Sequence, residues 1–145
     1  MNGRRVPLSR ALVRRIVETV LQEERREGLV SVTFLGRDSM RRLNAAHKGK
    51  DYPTDVLAFA LEPPPGGTPV GRPARPPAPV FGDVYICLWV AQREARARGI
   101  PLRQELIRLV VHGTLHALGR DHPEGPDRTR SAMWRRQERY VEALA

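Results

Sequence analysis

The sequence predicts an α+β fold in which a small mixed β-sheet packs with about five helices around one core. Five segments show helical periodicity, and three short segments are rich in the β-branched and apolar residues of strands. One predicted helix is apolar on almost every side in its second half, which is typical of a helix buried at the centre of a core. A chain of 145 residues is the size of one domain, so we expect a single domain over residues 1–145.

The first predicted elements are a helix, a strand and a second helix. Apolar residues recur every four positions over residues 8–27, which indicates an amphipathic helix that Gly28 is placed to end. The β-branched and aromatic run at residues 29–35 predicts a strand. Asp38 and Ser39 are suited to cap the short helix that follows.

The middle of the chain combines two strands with a proline-rich segment. Residues 48–55 are turn-like, and the continuous apolar run at residues 56–61 is typical of a strand buried on both faces. A further strand is expected over residues 80–88. Between the strands, residues 62–79 contain eight prolines and three glycines, so we expect an insertion loop that the fold does not need.

The C-terminal part of the chain predicts three helices. Residues 90–98 form a short arginine-rich pattern that Gly99 ends, and Pro101 suits the first turn of the next helix. That next helix, residues 102–118, is the central one, and residues 126–144 predict a helix that covers the core. The residues that share one side of this last helix are Met133, Gln137, Tyr140, Val141 and Leu144.

Composition excludes several classes of function and favours a polyanionic partner. No apolar run approaches the ~18 residues of a membrane span, and the N-terminus lacks the apolar core of a secretory signal, so we expect a cytoplasmic protein with no membrane partner. Lys and Arg number 25 against 16 Asp and Glu, a net charge of +9. This charge favours nucleic acid or the ribosome, although a basic solvated surface has the same composition. The single cysteine, Cys87, lies in an apolar run and is expected to be a small buried residue.

Three of the four histidines, His112, His116 and His122, fall in one segment. His112 and His116 are four residues apart on the predicted central helix, so both imidazoles face one side and can reach one ion. Gly119 can adopt the left-handed conformation that ends a helix and lets His122 return as a third ligand. Three imidazoles suit one Zn²⁺ per chain with a position left for water, which indicates catalysis. Nickel, copper and iron also accept imidazole ligands.

Other interpretations of this segment stay open. The two helix histidines could be core residues bonded to backbone carbonyls, with His122 an ordinary loop residue, although two adjacent buried imidazoles would each need a polar partner. A purely structural zinc would usually recruit a fourth protein ligand, commonly cysteine, and Cys87 lies in a strand-like run instead. Asp121, beside the third histidine, could orient a ligand, help to deprotonate water, or simply belong to a turn.

The histidine spacing also matches the H-E-x-x-H-x-x-G-x-x-H pattern of one zinc-protease class, with one difference. Gly113 occupies the position of the glutamate that acts as general base, which argues against peptide hydrolysis. Bound zinc lowers the pKa of water to about 7 without that carboxylate. The difference therefore changes the substrate that suits the site and leaves metal-dependent chemistry open.

The segment H-G-T-L-H-A-L-G-R-D-H at residues 112–122 resembles the hallmark of the YbeY family of bacterial rRNA maturation factors. Residues 50–59, K-D-Y-P-T-D-V-L-A-F, and the strand opening G-D-V at residues 82–84 are also similar to that family. The resemblance implies a metal-dependent, single-strand-specific endoribonuclease in 16S rRNA 3′ end maturation and ribosome quality control. It implies ribosomal RNA and the small ribosomal subunit as partners, with ribosomal proteins or an assembly GTPase beside them.

The resemblance also implies roles for particular residues. The three histidines would hold the metal and, together with Lys48, take part in catalysis, while Lys48 and Lys50 would hold the RNA. Family proteins commonly carry Tyr-Arg where this chain has His47 and Lys48, and a lysine keeps the charge but lacks the bidentate fork of arginine. His47 is either a further group near the metal or a solvent-facing residue at a helix end.

Two rival functions remain beside the nuclease. In the first, the protein is an assembly factor that binds pre-ribosomal particles through its basic surface, and its metal is mainly structural. In the second, the metal site hydrolyses a peptide or a small molecule, and contact with RNA is incidental.

Overall fold

The computed structural model describes residues 6–61, 79–119 and 132–145 as an α+β fold. Within these residues, three strands form a mixed sheet in the order β1-β3-β2, with β1 parallel to β3 and β2 antiparallel to it. The predicted fold class is therefore confirmed. The strands are β1 (Gly28–Leu35), β2 (Val56–Ala60) and β3 (Val80–Cys87), and the helices are α1 (Arg10–Glu23), α2 (Arg37–Lys48), α3 (Leu88–Arg98), α4 (Leu102–Ala117) and α5 (Ala132–Leu144).

Two predicted helix ends were wrong. α1 ends at Glu23, because Arg25 adopts a left-handed φ of 56° and the N–H of Arg26 bonds the carbonyl of Leu21 at 2.9 Å, which closes the last turn. Gly28 instead begins β1. α2 starts from Gly36, and no side chain caps it there, so the predicted caps Asp38 and Ser39 lie inside the helix.

The prediction that β2 is buried on both faces was also wrong. Only Leu57 is buried in β2, whereas β3 lies between the two other strands and alternates between buried and half-buried residues. β2 pairs with β3 alone in the described sheet. An apolar run of five residues looks the same at the edge of a sheet as at its centre, so the pattern did not separate the two.

The two faces of the sheet pack in separate clusters. On one face, Val84 and Ile86 join the main core with α1 and α4. On the other face, Leu57 and Cys87 pack with Met40 of α2. Cys87 is fully buried, as predicted, and burial raises the pKa of its thiol. The thiol therefore stays protonated, which fits a packing role.

The predicted central helix is α4, and it lies very close to β3. A Cβ atom on Gly113 would lie 2.4 Å from Cγ1 of Val84, and one on Gly82 would lie 2.8 Å from the Cβ of Ala117. Real Cβ atoms do not approach other atoms this closely, so neither glycine position can carry a side chain while the neighbours stay in place. The contact explains in physical terms why residue 113 is not the glutamate of the protease pattern.

Some predictions fall outside the described residues. They include residues 62–78 of the proline-rich insertion predicted over residues 62–79, and the first part of the predicted last helix, residues 126–131. In the described part of the chain, no helix is both long and apolar enough to cross a membrane.

Replacing Gly113 by alanine tests the contact between α4 and β3. Overpacking of a core costs about 1–3 kcal/mol, and the helix propensity of alanine offsets about 1 kcal/mol of that cost. We expect Gly113→Ala to lower the free energy of unfolding by about 1 kcal/mol in urea denaturation.

The matched background for this test is Val84→Ala, which removes the methyl groups that Gly113→Ala would strike. In that background we expect Gly113→Ala to be neutral or to stabilise by up to about 1 kcal/mol, because only the propensity term remains. An equal effect of Gly113→Ala in both backgrounds would contradict the contact.

Candidate metal centre

Two predicted metal ligands, His112 and His116, stand side by side on α4. Their ring centroids are 4.4 Å apart, their planes are inclined by 50°, and both side chains are half-buried. The prediction that helical spacing brings these two rings together is therefore confirmed. Asp121 and His122 lie outside the described residues, and within those residues no set of three His, Cys, Asp or Glu side chains could hold a metal.

The chain turns at Gly119 as the sequence predicted. α4 ends at Ala117, and Gly119 adopts a left-handed φ of 85° while its N–H donates to the carbonyl of His116 at 2.9 Å. A residue with a Cβ rarely takes this conformation, so glycine suits the position. The turn lies three residues after His116 and three residues before His122.

The ring of His112 is bonded to α5. Its Nδ1 lies 2.7 Å from Oε1 of Gln137, a side chain that is 1% exposed. The Nε2 atom lies on the opposite edge of the imidazole. Histidines that bind metals usually engage their second nitrogen with an oxygen acceptor in this way, so the donor set fits zinc.

Gln137 belongs to a chain of polar contacts that we call the support network: Gln137, Glu138, Arg108, Glu105 and Arg98. The Gln137 side-chain amide donates to Oε2 of Glu138 at 3.2 Å. Arg108 grips Glu138 with two hydrogen bonds, from Nε at 2.9 Å and from Nη2 at 2.8 Å. Its Nη1 donates to Glu105 at 3.1 Å, and Arg98 reaches the same carboxylate at 3.4 Å. The network thus joins α3, α4 and α5 at the ring of His112.

Burial raises the pKa of each of the two carboxylates in the network, whereas their cationic and hydrogen-bonding partners lower it. Burial raises the pKa of Glu105, and the charges of Arg98 and Arg108 reduce that rise without cancelling it. Burial would also raise the pKa of Glu138, but the hydrogen bonds from Arg108 and Gln137 and the charge of Arg108 hold it below its ordinary value. Glu138 is therefore the firmly ionised partner of Arg108.

A small polar cavity of about 30 Å³ lies beside His112, large enough for one water molecule. Asp55 and Val56 line it at the start of β2, and Trp134 lines it from α5. The carboxylate of Asp55 is held in place, since its Oδ1 accepts hydrogen bonds from the N–H of Val56 at 2.8 Å and from the hydroxyl of Thr54 at 3.4 Å. The cavity thus brings a further acidic group, Asp55, close to His112.

The predicted RNA-binding lysines lie at the end of α2 and just after it. The Nζ atom of Lys48 is 5.8 Å from the ring centroid of Phe59, and the ring of His47 lies 5.0 Å from the same ring. All three residues Lys48, Lys50 and His47 are exposed. Asn44 anchors the segment that follows, because its side-chain amide donates to the carbonyl of Tyr52 at 2.8 Å. His47, Lys48 and Lys50 do not line the cavity beside His112, so the structure does not bring them to that cavity.

Sequence reasoning assigned no functional role to the support network or to Asp55. It placed Gln137 on the buried side of the last helix, between Met133 and Val141, and both of these neighbours are buried. A glutamine at such a position needs a buried partner, and this signal was present in the sequence. The sequence did not identify that partner, because His112 is 25 residues away from Gln137 along the chain.

Comparison with known proteins gives consistent matches. The family model of Endoribonuclease YbeY matches residues 5–145. The Endoribonuclease YbeY of Persephonella marina is 32% identical over 138 residues, which cover 94% of this chain and 84% of that protein. The protein of the same name from Alkalilimnicola ehrlichii is 44% identical over 93 residues, covering 64% of this chain and 52% of that protein. The chain thus spans about half the length of several curated relatives.

A solved structure shares the fold. The solution structure of TM1509 from Thermotoga maritima superposes with a TM-score of 0.61 at 28% sequence identity. The superposition covers 91% of this chain and 78% of that protein.

Removing Arg108 tests the support network. Glu105, with a side chain 2% exposed, would lose its closer cation, and Glu138 would lose both hydrogen bonds from Arg108. Breaking a buried ion pair costs about 3–5 kcal/mol, and we expect Arg108→Ala to fall at the lower end because Glu138 is one-third exposed. Urea denaturation measures the loss.

The loss should grow with pH. Without Arg108 the pKa values of Glu105 and Glu138 both rise in the folded state, so their ionisation opposes folding once the pH exceeds about 4.5. We expect a larger destabilisation at pH 8 than at pH 4. The matched control is Arg41→Ala, which removes an exposed pair with Asp51 at 3.8 Å and should cost only about 0–1 kcal/mol. Equal losses for the two variants would rule out a buried network.

Proposed function

The chain belongs to the YbeY endoribonuclease family, and on this premise we propose that it is a metal-dependent, single-strand-specific endoribonuclease of ribosomal RNA processing. We propose the 3′ end of the small-subunit 16S rRNA as its substrate, and ribosome quality control as a further setting of the same activity. The observation that carries the proposal is the paired rings of His112 and His116, with Gln137 behind one of them.

His112 and His116, together with His122, would hold one Zn²⁺ per chain. When bound, the metal supplies Lewis acidity toward a phosphodiester oxygen and lowers the pKa of water. The protein orients this site through the hydrogen bond between His112 and Gln137 and through the buried face of α4. Gly113 leaves no carboxylate between the two histidines, which favours a nuclease over a peptidase.

The RNA would be held by exposed cations on the other side of β2. Lys48 and Lys50 supply positive charge, and Phe59 lies beside Lys48 with a half-buried ring. Cations that follow a phosphate backbone, next to aromatic rings, are typical of surfaces that bind single-stranded nucleic acid. The net charge of +9 supports the same partner.

The partners that we propose follow from this substrate. They are ribosomal RNA and the small ribosomal subunit, with ribosomal proteins or an assembly GTPase as further contacts. We propose that the protein acts in the cytoplasm, where these partners assemble. Asp121, two residues after Gly119, is proposed to orient a ligand of the metal.

Cleavage of a labelled RNA that spans the 16S rRNA 3′ end tests the nuclease. Wild type, His116→Ala and Arg41→Ala are purified through identical steps, so that a contaminating ribonuclease would appear in all three. We expect wild type and Arg41→Ala to cut, and His116→Ala to lose at least about 100-fold in rate, which corresponds to about 2.7 kcal/mol of transition-state stabilisation. A chelator should abolish the wild-type rate, and added Zn²⁺ should restore it.

The other outcomes separate the rival functions. Equal cutting by wild type and a folded His116→Ala would refute the metal-dependent nuclease. Absence of cutting together with binding to small subunits would favour the assembly factor. The ends of the products give the route, since a 2′,3′-cyclic phosphate indicates attack by the RNA 2′-hydroxyl, and its absence indicates attack by water.

Substitutions of Lys48 test the RNA surface. We expect Lys48→Ala to weaken binding of a single-stranded RNA and to lower the salt dependence of the binding constant by about one phosphate contact. Lys48→Arg should bind at least as tightly as wild type, because arginine can form a bidentate contact with a phosphate. Unchanged affinity and salt slope in Lys48→Ala would remove this residue from the RNA site.

A further inference from the structure

We propose that Gln137 is a positioning residue of the metal centre, which keeps a proton on Nδ1 of His112 and thereby presents the lone pair of Nε2 to the metal. The inference rests on the proposed metal-dependent function and deepens it. Its basis is the orientation of one side-chain amide, which the support network determines.

The amide of Gln137 has one acceptor and one donor end, and each end has a defined neighbour. The amide nitrogen of Gln137 donates to the carboxylate of Glu138 at 3.2 Å, and a carboxylate can only accept. The oxygen end must then face His112, where it lies 2.7 Å from Nδ1. Because this oxygen also can only accept, the proton belongs to Nδ1 of the imidazole.

A rotated amide would have the opposite effect. Its NH₂ group would donate to Nδ1 of His112, and the ring proton would move to Nε2, the nitrogen that a metal needs without a proton. The rotated amide would also place its oxygen against the carboxylate of Glu138. Two hydrogen bonds from Arg108 hold Glu138 in place, so this repulsion cannot be relieved by a small movement. The network therefore selects one histidine tautomer.

Burial makes this selection effective. Gln137 is 1% exposed, so bulk solvent does not reach its amide, and within the described residues the space beside it is the small cavity next to His112. An apolar residue at this position would pack with Met133 and Val141 without the cost of burying an amide. A neutral amide also places an acceptor on His112 without adding a second negative charge next to Glu138. These features favour a positioning role over a purely structural one.

The test measures Zn²⁺ affinity and the His112 tautomer in the full-length protein. Gln137→Met keeps the size of the side chain and removes the acceptor, and we expect its Zn²⁺ affinity, from competition with a chromophoric chelator, to fall by about 10–100-fold. Gln137→Glu keeps an oxygen acceptor and should restore most of the affinity. Tyr140→Phe is the control on the same helix, because it removes a hydrogen bond to Glu24 at 2.9 Å and should leave the affinity unchanged.

The second readout needs no metal. Nitrogen-15 shifts of the imidazole of His112 in metal-free wild type, at a pH where the ring is neutral, should show the proton on Nδ1. In Gln137→Met this preference should disappear. A wild-type His112 with its proton on Nε2, or wild-type Zn²⁺ affinity in Gln137→Met, would overturn the proposal.

Failure of this proposal can be told apart from failure of the proposed function. If Gln137→Met does not fold, the position of the His112 proton is measured in wild type and in Glu138→Gln, which lacks the carboxylate that orients the amide. A proton on Nδ1 in wild type and a weaker preference for Nδ1 in Glu138→Gln would support the proposal, and an equal preference in both would contradict it. If the variants change Zn²⁺ affinity as expected but wild type cuts no RNA, the positioning role stands and the nuclease fails. If wild type cuts RNA but its His112 carries the proton on Nε2, the proposed nuclease stands and the positioning role of Gln137 is refuted.

Discussion

The close approach of α4 to β3 is the constraint on which the rest of this structure depends. Gly113 and Gly82 carry no side chains, so helix and strand meet at distances that a Cβ atom would not permit. This contact determines which side of α4 faces the sheet, and the adjacent side carries His112 toward Gln137 of α5 and the start of β2. Gly113 permits this close packing and also occupies the position where the zinc-protease pattern has its general-base glutamate. The same contact therefore constrains both the packing and the side chain available between the two histidines.

The support network adds specificity to that packing. Burying Glu105 and Gln137 costs free energy that hydrophobic residues of similar size would not cost, and ion pairs in an interior seldom repay it fully. The network contributes a defined position of the helices relative to one another. Glu138 and Gln137 of α5 find their hydrogen-bond partners only opposite Arg108 and His112 of α4. Stability and positioning of the histidine ring thus depend on the same contacts.

The sheet divides the proposed site between two surfaces. The histidines belong to the helix that covers one face, whereas Lys48 lies beside Phe59, which packs with the cluster on the other face. Residues of β2 serve both surfaces because neighbours in a strand point in opposite directions, and Val56 lines the cavity beside His112.

The sequence by itself determined the elements whose signals are local. Periodicity predicted α4 and the strands, and a spacing of four residues was enough to bring His112 and His116 together, because one helical turn sets that distance. Only the tertiary structure decided that β2 lies at the edge of the described sheet and that Gln137 bonds His112. Both depend on how distant segments pack, and an apolar run or a lone buried glutamine is compatible with many partners until the packing of β3 and α5 selects one.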